Sequence, residues 1–185
     1  MFWYKRYLAV IAGFLLLCNL SCKRDKLTST ATTKFFDLKG YFSGEAARLA
    51  KSNPEINKTA VYNKQPETQR VHIVNWTNEL SMFSESDINK PAWKASYDVQ
   101  SSEGFITYKA RDPELKTQDI VIKKDGDKIK WVFIYNHVRR TLFNVLLYET
   151  KETLNYFPDS LYQVQKRQAT RVLGINSYNV KGLFN

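Results

Sequence analysis

A long stretch of alternation that begins after Pro91 limits this chain's fold more than any other feature. Trp93, Ala95, Tyr97 and Val99 alternate with Lys94, Ser96, Asp98 and Gln100, a period of two that fits a strand with one wet face. Residues 105–110 and 118–124 continue the pattern. Further strands are expected at 128–137, 141–150, 153–157, 162–166 and 178–184. Asp125-Gly126 is the strongest turn signal, because a type I′ hairpin needs φ > 0 at both central residues and this dipeptide tolerates it.

Two of these strands are apolar on both faces. In 129–137, Ile129, Trp131, Phe133 and Tyr135 stand opposite Val132 and Ile134. In 141–148, Leu142, Leu146 and Tyr148 stand opposite Phe143, Val145 and Leu147. Such strands need cover on both sides.

Ahead of the sheet, Phe35, Leu38, Phe42, Ala46 and Leu49 recur at helical spacing, and Asn53-Pro54 ends that helix. A hairpin at 58–62 and 68–74 follows, turning at 63–66. Asn75 then caps a second helix bearing Trp76, Leu80 and Phe83, closed by Lys90-Pro91. The expected fold is α+β, with two N-terminal helices packed on one face of a curved antiparallel β-sheet or partial barrel. The other face then calls for barrel closure, an apolar ligand or a partner. With 43% hydrophobic and 14% aromatic residues among 185, the chain can fill such a core, which excludes wholesale disorder and collagen-like architectures. Two cysteines exclude a disulfide-dense scaffold.

The first residues set the compartment. Residues 1–6 (MFWYKR) carry two positive charges, and 8–18 (LAVIAGFLLLC) form an uncharged run of eleven. A spanning helix needs about 20 apolar residues, so this reads as a secretory leader. Small Ser21 followed by Cys22 resembles the lipobox of bacterial lipoproteins of the Bacteroidota type, although Asn19 stands where an aliphatic residue is usual. The resemblance implies a cleaved leader at 1–21, a diacylglycerol thioether on Cys22 and a polar tether at 22–34 (CKRDKLTSTATTK). A single domain at 35–185 would follow. Basic Lys23 after the cysteine implies the periplasmic face of the outer membrane, with the lipid as membrane anchor.

Processing narrows the chemistry. Losing the 21-residue leader leaves 164 residues and, with Lys5 and Arg6 gone, lowers the formal charge from +10 to +8. Cys18 leaves and Cys22 is acylated, so no cysteine nucleophile or cysteine metal site remains. There is no dinucleotide fingerprint, P-loop, nucleophile elbow or H-E-x-x-H. His72 and His137 fall on separate expected strands, and Glu149 and Glu152 read as a solvated edge. Export weakens the nucleic-acid reading of Lys123, Lys124, Lys128, Lys130, Lys166, Arg167 and Arg171, leaving solubility or attraction to anionic headgroups. No metal, cofactor or catalytic residue is expected.

The whole arrangement resembles small lipoproteins of the Bacteroidota, with segments 87–93 (DINKPAW) and 156–162 (YFPDSLY) typical of them. More distantly it is similar in architecture to LolA/LolB-type lipoprotein carriers. The expected function is a non-enzymatic, membrane-anchored protein that binds an apolar ligand or lipid on its curved sheet. The lining residues would be Trp93, Tyr97, Trp131, Phe133, Tyr135 and Tyr148. The alternative is an interaction or scaffold subunit of an envelope complex. Asp159-Ser160-Leu161 resembles the O-glycosylation sequon of exported Bacteroidota proteins, which would place a glycan on Ser160.

Overall fold

The computed structural model describes residues 34–143 and 145–185. The leader, Cys22 and all of the tether but Lys34 lie outside them. Helix α1, Leu38–Ser52, starts where the Asp37 carboxylate accepts the Gly40 N–H at 2.8 Å and stops where Asn53 adopts the left-handed conformation. Its buried residues Leu38, Phe42, Ala46 and Leu49 form one face. The expected second helix is broken into two single turns, α2 (Trp76–Glu79) and α3 (Ser81–Ser84), with Asn75 capping the first through the Asn78 N–H at 2.9 Å.

Nine strands follow from the alternation: β1 (Glu55–Tyr62), β2 (Gln65–His72), β3 (Tyr97–Ser102), β4 (Phe105–Ala110), β5 (Thr117–Asp125), β6 (Lys128–Leu142), β7 (Val145–Phe157), β8 (Leu161–Thr170) and β9 (Gly174–Phe184). Among the described residues they form one antiparallel sheet, ordered β2-β1-β9-β8-β7-β6-β5-β4-β3. The helices pack against one face of it, so the fold is α+β. Edge strand β2 tolerates Pro66, whose missing N–H costs no ladder bond toward solvent.

Cross-strand partners share a face, and the register therefore sorts the side chains into rows. On the helix side, Ile122, Val132, Tyr156, Tyr162 and Gly182 form one row, and Ile120, Ile134, Leu154, Val164 and Val180 the next. All ten are on the core face, and the nine with side chains are buried. Gly182 is required there: a Cβ on it would lie 2.1 Å from the Tyr162 ring, which is fully buried. Phe42 and Phe83 cover Tyr156 with ring centroids at 5.2 and 6.0 Å, and Trp76 covers Tyr162 at 6.1 Å. A third row, Asn136, Glu152, Lys166 and Tyr178, is polar and ends the hydrophobic layer.

Four expectations need correction. Residues 93–96 are not strand, because Pro91 opens a 3₁₀ turn in which the Trp93 N–H donates to Lys90 and the Ser96 N–H to Trp93. Ile129 leaves the Trp131 face: a bulge at Lys123 and Lys124 sets it opposite Lys124, and it packs on the core. The turn of β5 and β6 is centred on Gly126 and Asp127, with φ positive at Gly126 alone, a II′ pattern; paired positive φ occurs instead at Asn63-Lys64 and Glu103-Gly104. The run 141–150 is not one strand, because β6 ends at Leu142, Phe143 takes φ 48°, and β7 begins at Val145.

Candidate functional site

The face of the sheet away from the helices carries a second set of rows. Trp131, Phe133, Tyr135 and His137 run along β6, all half-buried. Trp131 stacks on Phe157 with centroids 5.8 Å apart and planes at 18°, and its Nε1–H donates to Asn155 at 3.2 Å. Phe133 lies 6.0 Å from Trp131, and Tyr135 stacks on His137 at 6.3 Å. Beside Phe133 stand Asn155, Gln163 and Lys181, and beside Tyr135 stand Thr153, Gln165 and Asn179. The column is thus flanked on the β7 side by amides, a hydroxyl and Lys181, and on the β5 side by Lys123, Val121 and Asp119. No described helix packs on it.

The chemistry changes along the column. The row of His137 continues into Lys151, Arg167 and Ser177. A cavity of about 320 Å³ opens there, lined by Lys64, Lys151, Thr153, Gln165, Arg167 and Asn179. Glu149 sits at its margin, with Oε1 2.9 Å from His137 Nε2 and 3.3 Å from Lys151 Nζ. The His137 hydrogen bond, with Lys151 behind it, holds the Glu149 carboxyl below the usual carboxylate range. The contact orients the His137 ring and sets the carboxylate beside the Lys151 ammonium.

Of the six residues expected to line one ligand, the structure brings together Trp131, Phe133 and Tyr135. Tyr97 is in the core on the helix side, its hydroxyl donating to the Thr117 carbonyl at 2.8 Å and its pKa pushed up to about 12 by burial. Trp93 lies in the 3₁₀ turn under the Lys90 ammonium, 4.0 Å from the ring centroid. Tyr148 is on the helix-side face of β7, beside Arg140 and Thr170. Ser160 is exposed in the turn after β7, its N–H donating to Phe157. Sequence reasoning missed Phe157, Lys64 and Lys151. Phe157 and Lys151 share β7 parity, a signal hidden by the expected break at 150–153; Lys64 arrives from a strand pairing over 100 residues away in sequence.

Other charged groups are structural. Glu152, expected on a solvated edge, is buried on the opposite face from Glu149, held by Lys166 at 3.0 Å and Asn136 at 3.2 Å. Glu79 accepts from the Tyr162 hydroxyl at 2.6 Å and pairs with Lys58 at 2.7 Å. His72 contacts the Asn53 carbonyl at 3.0 Å on edge strand β2, with four strands between it and β6, so the two histidines share no site. A further cavity of about 450 Å³ lies beside the β1–β2 hairpin, lined by Lys58, Val71, Val74, Asn75, Asn78 and Glu79. Among the described residues no group of three potential metal ligands occurs, and no helix is long and apolar enough to cross a membrane. Comparison with protein-family models, curated proteins and solved structures finds no match.

Proposed function

We propose that this chain is an exported lipoprotein, anchored to the envelope membrane through Cys22, that binds a lipid or other amphiphile on the open face of its sheet without transforming it. The observation that carries the reading is the aromatic column Trp131, Phe133 and Tyr135 leading into a cavity lined by Lys64, Lys151 and Arg167. From Trp131 to His137 the strand advances about 20 Å. That length accommodates an extended fatty acyl chain with its anionic head at the lysines and arginine. Stacked aromatics supply apolar surface, and the amide flanks keep the empty face compatible with water. The strand order also favours a curved sheet: β2 and β3 are the only neighbours missing from an otherwise cyclic order, and the helical segment links them in sequence.

Titration of the full chain with a brominated fatty acid tests this. Bromine quenches indole at contact, so the emission from Trp131, taken as the difference between wild type and Trp131→Phe, should fall saturably. Lys151→Glu with Arg167→Glu should weaken the titration. An unquenched difference signal contradicts the proposal.

The second reading is an interaction subunit of an envelope complex. What favours it is that the half-buried rings lie on a sheet face over which no described helix packs. A protein partner would protect Phe133 and Tyr135 in the native envelope, and the fatty acid would leave Trp131 unquenched.

A further inference from the structure

The far ends of the sheet carry an unusual pair of turns. Those at one end are polar: Glu103-Gly104, Gly126-Asp127 and Pro158-Asp159-Ser160. At the other end, the β6–β7 hairpin presents Leu142, Phe143, Val145 and Leu147, and the β8–β9 hairpin presents Val172, Leu173 and Ile175. Phe143 is 92% exposed, Val172 91% and Leu173 76%. The two hairpins are neighbours, since β7 pairs with β8 and the Arg171 N–H donates to the Leu147 carbonyl at 3.2 Å. Seven large apolar side chains therefore project from one end of the molecule, with nothing among the described residues over them.

Single exposed apolar residues are ordinary, but a contiguous cluster at paired tips is a docking surface. What surrounds it selects the occupant. Arg139 and Arg140 lie near the tip-ward end of β6, before Leu142, and Arg171 opens the second tip, all exposed; Arg140 meets Glu114 at 3.3 Å, and Arg139 and Arg171 have no ion pair among the described residues. Tyr148 stands in the row just behind, with Arg140 beside it. An apolar point backed by a belt of tyrosine and arginine is the order of chemistries met on crossing from acyl chains into headgroups. A flat protein partner would leave projecting points poorly filled.

We propose that the paired hairpin tips insert into the surface of an anionic lipid bilayer, with Arg139, Arg140 and Arg171 on the phosphates. The contact is distinct from the lipid on Cys22 and lies beyond the cationic end of the ligand face. It fixes the domain's orientation, because an anchor on a tether alone leaves the domain free to tumble.

The test uses the full chain on vesicles of phosphatidylglycerol and phosphatidylcholine containing brominated acyl chains. Phe143→Trp and Leu173→Trp each add a reporter at a tip, and Phe105→Trp adds one at the opposite end. Both tip reporters should lose emission and shift to the blue, the loss shrinking at high salt or with Arg140→Glu and Arg171→Glu, while the Phe105 position stays unquenched. In the unsubstituted chain, amide exchange of 142–147 and 171–175 should slow only when vesicles are present. Equal quenching at all three positions would mean anchoring without tip insertion and would overturn the proposal. So would tip protection that grows with protein concentration in the absence of vesicles, which marks a second copy of the chain as the occupant.

Discussion

At the level of single residues, tyrosine hydroxyls join the helical layer to the sheet. Tyr162 donates to Glu79, and Tyr156 donates to Glu45 at 2.5 Å. Burial, then the hydrogen bond to a carboxylate, pushes both phenols well above the ordinary value; burial likewise raises Tyr41, Tyr97, Tyr108 and Tyr178. A group whose folded pKa is raised contributes stability that is complete below its unfolded pKa, here about 10, and is lost as pH rises toward the folded value. Alkaline titration followed by phenolate absorbance and circular dichroism should therefore split. The fully buried Tyr156 and Tyr162 ionise well above the ordinary phenol value and only with the loss of the sheet signal. A single phenolate transition with unchanged dichroism would contradict these contacts.

At the level of elements, the polar row that closes the core has unequal halves. The Glu152 side chain is 7% exposed and that of Lys166 39%. Removing the lysine strands a buried carboxylate, whereas neutralising the carboxylate returns the lysine to water. Lys166→Met should cost about 1–3 kcal/mol. Glu152→Gln, which keeps an acceptor for Asn136, should cost about 1 kcal/mol or less. Urea midpoints at unchanged slope would measure both, and the reverse ranking would show that the pair is not organised by burial.

The same scale shows what the sequence can and cannot convey. The helix over Leu38–Ser52 was legible because its apolar spacing and Asn53 cap are local, and β6 because its period is two. Trp93 misled because a Pro91 turn and an alternating strand share the same letters over four residues. The tip at Phe143 was hidden because the run Leu142, Phe143, Asn144 and Val145 holds one turn-forming residue, Asn144, and a doubly apolar strand was the simpler reading. The site was legible by halves. Trp131, Phe133 and Tyr135 declare themselves by parity. The cationic cavity needs β1 beside β9, a pairing that only folding reveals.

At the level of the whole molecule, one face of the sheet is spent on the core, and the other grades from stacked aromatics through cations to apolar tips. This axis gives the chain's net charge of +10 a place as well as a sign, since Lys64, Lys151 and Arg167 gather around one cavity. The amphiphile proposed for this face is open to direct measurement. Native mass spectrometry of the full chain, purified under mild conditions, tests for it most directly. It should carry an adduct of lipid mass that is lost in Phe133→Ser with Trp131→Ser, while the helix-side substitution Trp93→Phe retains it. A wild-type chain that flies with no noncovalent lipid adduct would contradict the claim.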